Sequence, residues 1–236
     1  MKILALEFSS AHRRVAVVEL DTHAGSCSLA KLAEQPQPVR VAEVVQVGQT
    51  NSMQPFQMIQ DALYQAGLER SQLDCVAVGL GPGSYTGIRA AIAIAQGWQL
   101  ASNVRLAGVS SAAAIAAGAW ERGLRGTCSV LIDAQRNEFY IATYLIDAAG
   151  AQELEPLRLA SSDEVMRLAA TGRVLIGPDI TARVATVQAF YPSAIWIARL
   201  TAARAEFVSG EKLEPIYLRE ARFVKAPPPK LYIDTA

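Results

Sequence analysis

The strongest constraint on how this chain can fold is that it repeats itself. Residues 4–18 read LALEFSSAHRRVAVV and residues 130–144 read VLIDAQRNEFYIATY. Each is an apolar run, an acid, a polar turn and a second apolar run. The acids, Glu7 and Asp133, fall at the same place in the two copies. Farther along, VAVGLGPG at 76–83 and RVLIGPD at 173–179 are both apolar runs closed by Gly-Pro. Two segments that alternate in one way should fold in one way, so the pattern predicts two related α/β lobes built on a duplicated βββαβα plan.

The local signals fill in that plan. Residues 2–8 and 14–20 are short apolar runs around a polar turn and predict a hairpin. Residues 21–37 read as an irregular arm, and the Val-rich 39–47 as a third strand. A helix is expected from Ser52 to Ala66, stopped by Gly67. A buried strand follows at 75–80, then a helix over 85–101 and a strand at 104–109. In the second half, strands are expected at 127–134 and 139–146. A helix should start behind Ser161 or Ser162 and run to Ala170, followed by a strand at 173–178 and a helix from Thr181 to Phe190. The expected division is an N-terminal lobe of residues 1–109, a C-terminal lobe of 110–222 whose last helix packs back on the first, and an extended Pro-rich tail over 223–236.

Composition closes off several classes of function. Lys and Arg together number 22, and so do Asp and Glu. A chain of zero net charge has no overall pull on nucleic acid, so any RNA role needs another subunit to grip the RNA. The three cysteines are scattered and form no CxxC pair, which suits free thiols in a reducing cytoplasm. The opening run is cut by Glu7 too soon for a signal peptide, and no apolar stretch is long enough for a membrane helix. Only His12 and His23 are present, both in the first half. A His-rich metal site is thereby excluded, and a metallopeptidase lacks its ligands.

Two stretches can carry function. Glu7 and Asp133 end equivalent strands, where α/β sheets face a ligand crevice, and paired carboxylates there could hold a magnesium nucleotide. The glycine-rich loop GLGPGSYTG at 79–87 adjoins them. It lacks the Lys of a phosphate-cradling G-x(4)-G-K-[ST], and its glycines are not spaced G-x-G-x-x-G. Amides near Gly81, Gly83 and Ser84 could still receive an anion at the next helix start. The loop could equally exist for close packing, because glycine admits backbone approach that other residues forbid.

The second stretch is marked by an absence. No charge occurs between Val44 and Gln60, nor between Ala90 and Val104. A solvent-facing helix normally carries Lys and Glu. Here Met53, Phe56, Ile59 and Leu63 share helical spacing, beside Gln57, Gln60 and Tyr64. Charge depletion with Met and aromatic residues is the composition of an interface core. The expected partner surface is therefore Met53, Phe56, Gln57, Gln60, Leu63 and Tyr64.

Taken together, ILALEFSS, GLGPGSYTGIRAAIAIAQG, GVSS at 108–111, LIDAQRNEFY at 131–140 and EPIYLRE at 214–220 resemble the TsaB (YeaZ) family. The resemblance runs to about residue 222. It implies an actin-like ASKHA fold of two lobes and a place in tRNA threonylcarbamoyladenosine (t6A37) synthesis. It also implies a non-catalytic role beside TsaD, a paralogue that performs the transfer, together with the ATPase TsaE. The N-terminal helices would pack on TsaD or on a second copy as a homodimer, with tRNA reached only through the complex. No cofactor is required, though ATP or ADP could sit near the interface. TsaD-type proteins hold metal through paired histidines on the first helix, and here that region reads GQTNSMQPFQM. The family's first strand ends Asp-Thr-Ser. This chain has Glu7-Phe8-Ser9, which argues against ordinary nucleotide chemistry in the cleft. The competing expectation is an active ASKHA-type ATPase or phosphotransferase using Glu7 and Asp133.

Overall fold

The structure is a computed structural model that describes residues 1–21, 29–34, 37–48, 54–180 and 182–218. Met53 and the tail over 223–236 lie outside the described residues, as does most of the arm over 21–37.

The first lobe is built from β1 (Lys2–Glu7), β2 (His12–Glu19), β3 (Arg40–Val47), α1 (Pro55–Ala66), β4 (Cys75–Gly79), α2 (Tyr85–Ser102) and β5 (Arg105–Val109). After α3 (Ser111–Glu121) the second lobe follows with β6 (Gly126–Asp133), β7 (Glu138–Ile146), β8 (Ala151–Ser161), α4 (Ser162–Ala170), β9 (Val174–Gly177) and β10 (Gln188–Ala189). Helix α5 (Ala194–Arg204) comes last.

The first sheet runs β3-β2-β1-β4-β5 and the second, read the same way, β8-β7-β6-β9-β10. In each, the first three strands are antiparallel and the last three parallel. The duplication visible in the sequence is thus a duplication of topology, and the fold is the two-lobed actin-like α/β arrangement. Both faces of each central strand are covered. In β1, Ile3 and Ala5 enter the core between the lobes, while Leu4 and Leu6 enter the core under α1 and α2. This is why β1 reads as a continuous apolar run rather than an alternating one.

The layer between the sheets is made by an exchange of helices. Helix α3, which continues from β5, lies against β6, β7 and β8 of the other lobe. Helix α5, which follows β10, lies against β1, β2, β4 and β5. The sequence of α3, SAAAIAAGAWE, is buried over most of its length, and its small side chains let it sit close to its neighbours.

Beyond α5 the chain returns over the first lobe as a strap. The Val208 amide donates to the Leu106 carbonyl (2.9 Å), and Leu213 enters the core beneath α2. The Gln96 side chain donates to the Gly210 carbonyl (2.8 Å), while Gln99 accepts from the Gly210 amide (2.9 Å). The strap covers the outer edge of β5, an edge that would otherwise be open to pairing. It also accounts for two of the uncharged polar positions of α2, which serve this chain itself.

One expected helix does not form. Residues 182–187 make successive turns, and β10 occupies 188–189 in place of the helix expected over 181–190. Ile180, Val184 and Val187 do share the helical spacing, and all three enter the core of the second lobe. However, this segment lies between Pro178 and Pro192 and is rich in β-branched residues, which are poor helix formers in so short a span.

Candidate functional site

The chemistry-bearing residues gather in two places: a cleft between the lobes and a groove on the outside of the first lobe.

The cleft has a volume of about 650 Å³. Its walls are the β1–β2 turn (Ser9 to Ala11), the start of α2 (Gly83 to Thr86), the β6–β7 turn (Asp133 to Arg136) and the exit of β9 (Pro178 and Asp179), with Tyr217 of the strap at one side. Asp133 lines it, as do Gly83 and Ser84. Glu7 and Gly81 do not.

Glu7 and Asp133 begin alike. Each accepts the amide two residues on, Ser9 for Glu7 and Gln135 for Asp133, both at 2.7 Å. From there they diverge. Asp133 stays half-exposed and pairs with Arg183. Glu7 has no exposed surface, and its other oxygen accepts from the Ser111 hydroxyl at 2.7 Å. Ser111 itself is held by Gly81, whose amide donates to the Ser111 hydroxyl (3.1 Å) and whose carbonyl accepts from the Ser111 amide (2.9 Å). The first-lobe acid is therefore sealed beneath the cleft floor by a serine of α3.

Burial pushes the Glu7 carboxyl above its ordinary value of 4.5, against the opposing pull of the Ser9 and Ser111 hydrogen bonds. A raised carboxyl binds its proton more tightly in the folded state. The stability it contributes is full below the ordinary value and is lost as the pH rises through the folded one. Glu7→Gln, which cannot ionise, should gain on the wild type as the pH rises above about 4.5 and run parallel to it below. Thermal melts of both proteins across the acid-to-neutral range measure this. A difference that stays flat with pH would mean that Glu7 does not titrate in a buried site.

The glycine loop is shaped by backbone contact. Gly83 has φ +148°, and a Cβ there would lie 2.2 Å from the Ser9 carbonyl oxygen. The Ser84 amide donates to that same oxygen (2.7 Å), and the Ser84 hydroxyl caps α2 by accepting from the Gly87 amide (3.4 Å). Of the two roles open to this loop in the sequence, close packing is the one these contacts fulfil. Across the cleft, Gln135, Arg136 and Asn137 all have φ between +51° and +61°, a conformation that costs roughly 1 kcal/mol or more at each L-residue. The sequence marked a polar turn here but not its left-handed backbone, and nothing local signalled the role of Ser111, whose bond to Glu7 spans 104 residues.

The groove lies between α1 and α2. It encloses about 480 Å³ and is lined chiefly by Phe56, Ile59, Ala93, Ile94, Gly97 and Trp98. Phe56 is 68% exposed and Tyr64 86%. Gln57 and Gln60 are exposed beside them, with the Gln57 amide donating to Asp61 (2.8 Å). Leu63 is the correction: it is buried in the core of the lobe together with Ile59. The expected stripe is thus split by the twist of the helix, so that Phe56 points outward while Ile59 and Leu63 point in. The open face continues onto α2, where Ala93, Gly97 and Leu100 are exposed.

Known proteins can now be set beside this geometry. A family model described as "TsaD: tRNA N6-adenosine threonylcarbamoyltransferase" matches residues 46–213. The tRNA threonylcarbamoyladenosine biosynthesis protein TsaB of Escherichia coli K12 is 31% identical over 179 residues, covering 69% of this chain and 78% of the relative. The chain belongs to the TsaB (YeaZ) family.

A second family member, TsaB of Haemophilus influenzae, is 29% identical over 91% of this chain and 98% of its own length. Among solved structures, a Pseudomonas aeruginosa protein described as similar to the peptidase YEAZ superposes with a TM-score of 0.71 at 25% identity, covering 92% of this chain and 99% of that one. YeaZ of the same organism gives 0.68 at 23% identity, covering 92% and 100%. Among the described residues of this family member, no group of three His, Cys, Asp or Glu side chains is placed to hold a metal ion. No described helix is long and apolar enough to cross a membrane.

Proposed function

We propose that this chain takes part in tRNA threonylcarbamoyladenosine synthesis as a non-catalytic scaffold and activator, docking on a TsaD-type paralogue through the α1–α2 face. The observation that carries this reading is the open groove. Phe56, Tyr64 and Leu100 are exposed aromatic and aliphatic side chains on a helix pair that is nearly free of charge at its surface. An adhesive face of this kind is unusual in a chain that works alone.

The cleft supports the same reading. Glu7 is sealed by Ser111 rather than presented to a ligand. Docking on this reading requires no nucleotide. In isolation the same face pairs with itself around a two-fold axis, so homodimer and TsaD complex exclude each other. A TsaE-type ATPase joins the assembly, and tRNA is held by the complex rather than by this chain of zero net charge.

The test is sedimentation of the purified chain with and without its TsaD-type paralogue, together with an ATP turnover assay on the chain alone. The homodimer should give way to a heterodimer as the paralogue is added. Turnover by the chain alone at about 1 per second or faster would instead make it an enzyme and sink the scaffold reading.

A further inference from the structure

The strap ends where an exposed row of α2 begins. The Ile216 amide donates to the Leu80 carbonyl (2.9 Å). The Tyr217 ring packs against Tyr85, the first residue of α2, with centroids 5.2 Å apart. From Tyr85 a row at four-residue spacing climbs the helix through Arg89, Ala93, Gly97 and Ala101. All five residues are exposed, and a Cβ at Gly97 would meet nothing within 4 Å. The upper half of the row is the floor of the α1–α2 groove, beside the rings of Phe56 and Trp98. Leu218, also exposed, is the last described residue, and the chain continues past it as REARFVKAPPPKLYIDTA.

We propose that residues 219–236 lie along this row and seat Pro227, Pro228 and Pro229 on Phe56 and Trp98, so that the chain carries its own competitor for the docking face. The inference rests on the α1–α2 face being that docking face. Length favours this occupant. From Tyr85 to Gly97 the helix rises about 18 Å, and residues 219–226 span up to about 26 Å when extended. The prolines therefore arrive level with the groove. Chemistry favours it too, because consecutive prolines adopt a preformed extended helix that aromatic-lined grooves bind at little entropic cost. So does charge. In this seat Glu220 stands level with the exposed Arg89, and Lys230, just past the prolines, meets the exposed Glu69. Glu69 adjoins Arg70, whose guanidinium lies over Trp98 at 5.9 Å from the ring centroid. Leu231 and Tyr232 then reach the neighbouring hollow beside Tyr64 and Leu68.

A tethered segment acts at an effective concentration on the order of millimolar. Even a weak seat then lowers the fraction of chains whose docking face is free, and the apparent affinity for a second copy or for the paralogue falls by that fraction. The partner that docks must displace the prolines first.

The test uses the full chain with a spin label on Ala226→Cys in a Cys27→Ser background, Cys75 and Cys128 being buried. At a concentration where the chain sediments as a monomer, the label should broaden the amide signals of Ala93, Gly97 and Ala101 and spare those of β8. Mixing a spin-labelled chain without isotope label into an isotope-labelled chain without the spin label should leave the row sharp. Replacing Pro227, Pro228 and Pro229 together by Ser should abolish the broadening and tighten both self-association and binding to the paralogue by about tenfold. A row that stays sharp overturns the proposal, as does broadening that moves to Asp133 and Ala134 in the cleft. Broadening in the mixed sample assigns the seat to a second copy's segment and overturns it as well, and so does broadening that survives the Ser substitutions. Broadening of the row that the Ser substitutions abolish, with paralogue affinity unchanged by them, upholds the seat and overturns the docking reading instead.

Discussion

Gly87→Ala is expected to destabilise the protein by about 3 kcal/mol, although the same exchange in a free helix would stabilise it by about 1 kcal/mol. Gly87 lies in the first turn of α2, and a Cβ there would sit 2.0 Å from the carbonyl oxygen of Phe8. That oxygen belongs to backbone, and the Phe8 side chain is fully buried. Neither partner has a flexible end to move aside. Either α2 lifts from the exit of β1, losing the Ser84 bond to Ser9, or the strand shifts and strains the core. Gly97, ten residues on in the same helix, is the control. A Cβ there meets nothing within 4 Å. Gly97→Ala should therefore stabilise by up to about 1 kcal/mol from propensity alone. Denaturant unfolding of the two variants at one protein concentration compares the same substitution in the same helix with opposite expected signs. A gain in both would mean that α2 does not approach Phe8 this closely.

Phe56→Glu should weaken both self-association and binding to the TsaD-type paralogue by about a hundredfold or more, because a carboxylate buried unpaired at an interface costs several kcal/mol. The fold should survive. Phe56 is 68% exposed in the isolated chain, so the substitution removes little from the lobe's own core. The contrasting substitution is at Leu63, about two turns further and 5% exposed, where a charge would act on folding before it acted on docking. Circular dichroism followed by sedimentation with and without the paralogue separates the outcomes. A folded variant that binds normally places the docking face elsewhere. An unfolded one makes Phe56 part of the core.

What could be read from the sequence was whatever the chain states locally. The acid-turn-strand repeat predicted both hairpins because each is closed within fifteen residues, and it placed Glu7 and Asp133 at matching strand ends. Helix α3 was not foreseen, and α5 only as a last helix packing back on the first lobe, with the last helix placed at 181–190 rather than Ala194–Arg204. SAAAIAAGAWE and AIWIARLTAAR have no polar face, because each is enclosed between sheets, and a helix buried on all sides loses the periodicity by which helices are recognised. Strand β8 escaped for the opposite reason: its outer half carries Glu153, Glu155 and Arg158 at the exposed edge of the second sheet. The same distinction runs through the site. The uncharged stretches announced a surface out of the ordinary, but which of their side chains face outward depends on the rotation of α1, and Leu63 went the other way. Glu7 and Asp133 look interchangeable along the chain. Ser111 separates them, and it reaches Glu7 only once α3 is in place.

The exchange of α3 and α5 has a consequence for how this protein comes into being on the ribosome. The inner face of the first sheet is finished by a helix that ends at Arg204, so all five of its strands are synthesised well before their cover exists. Until α5 arrives, Ile3, Ala5, Val18 and Ala77 look out on solvent or on whatever shields a nascent chain. The second lobe meets no such delay, because α3 precedes its strands and waits for them. Although the gene reads as two copies of one lobe, cutting it at the midpoint would not release two proteins. The first half would keep an open apolar sheet, and the second would carry a helix with nothing to rest on.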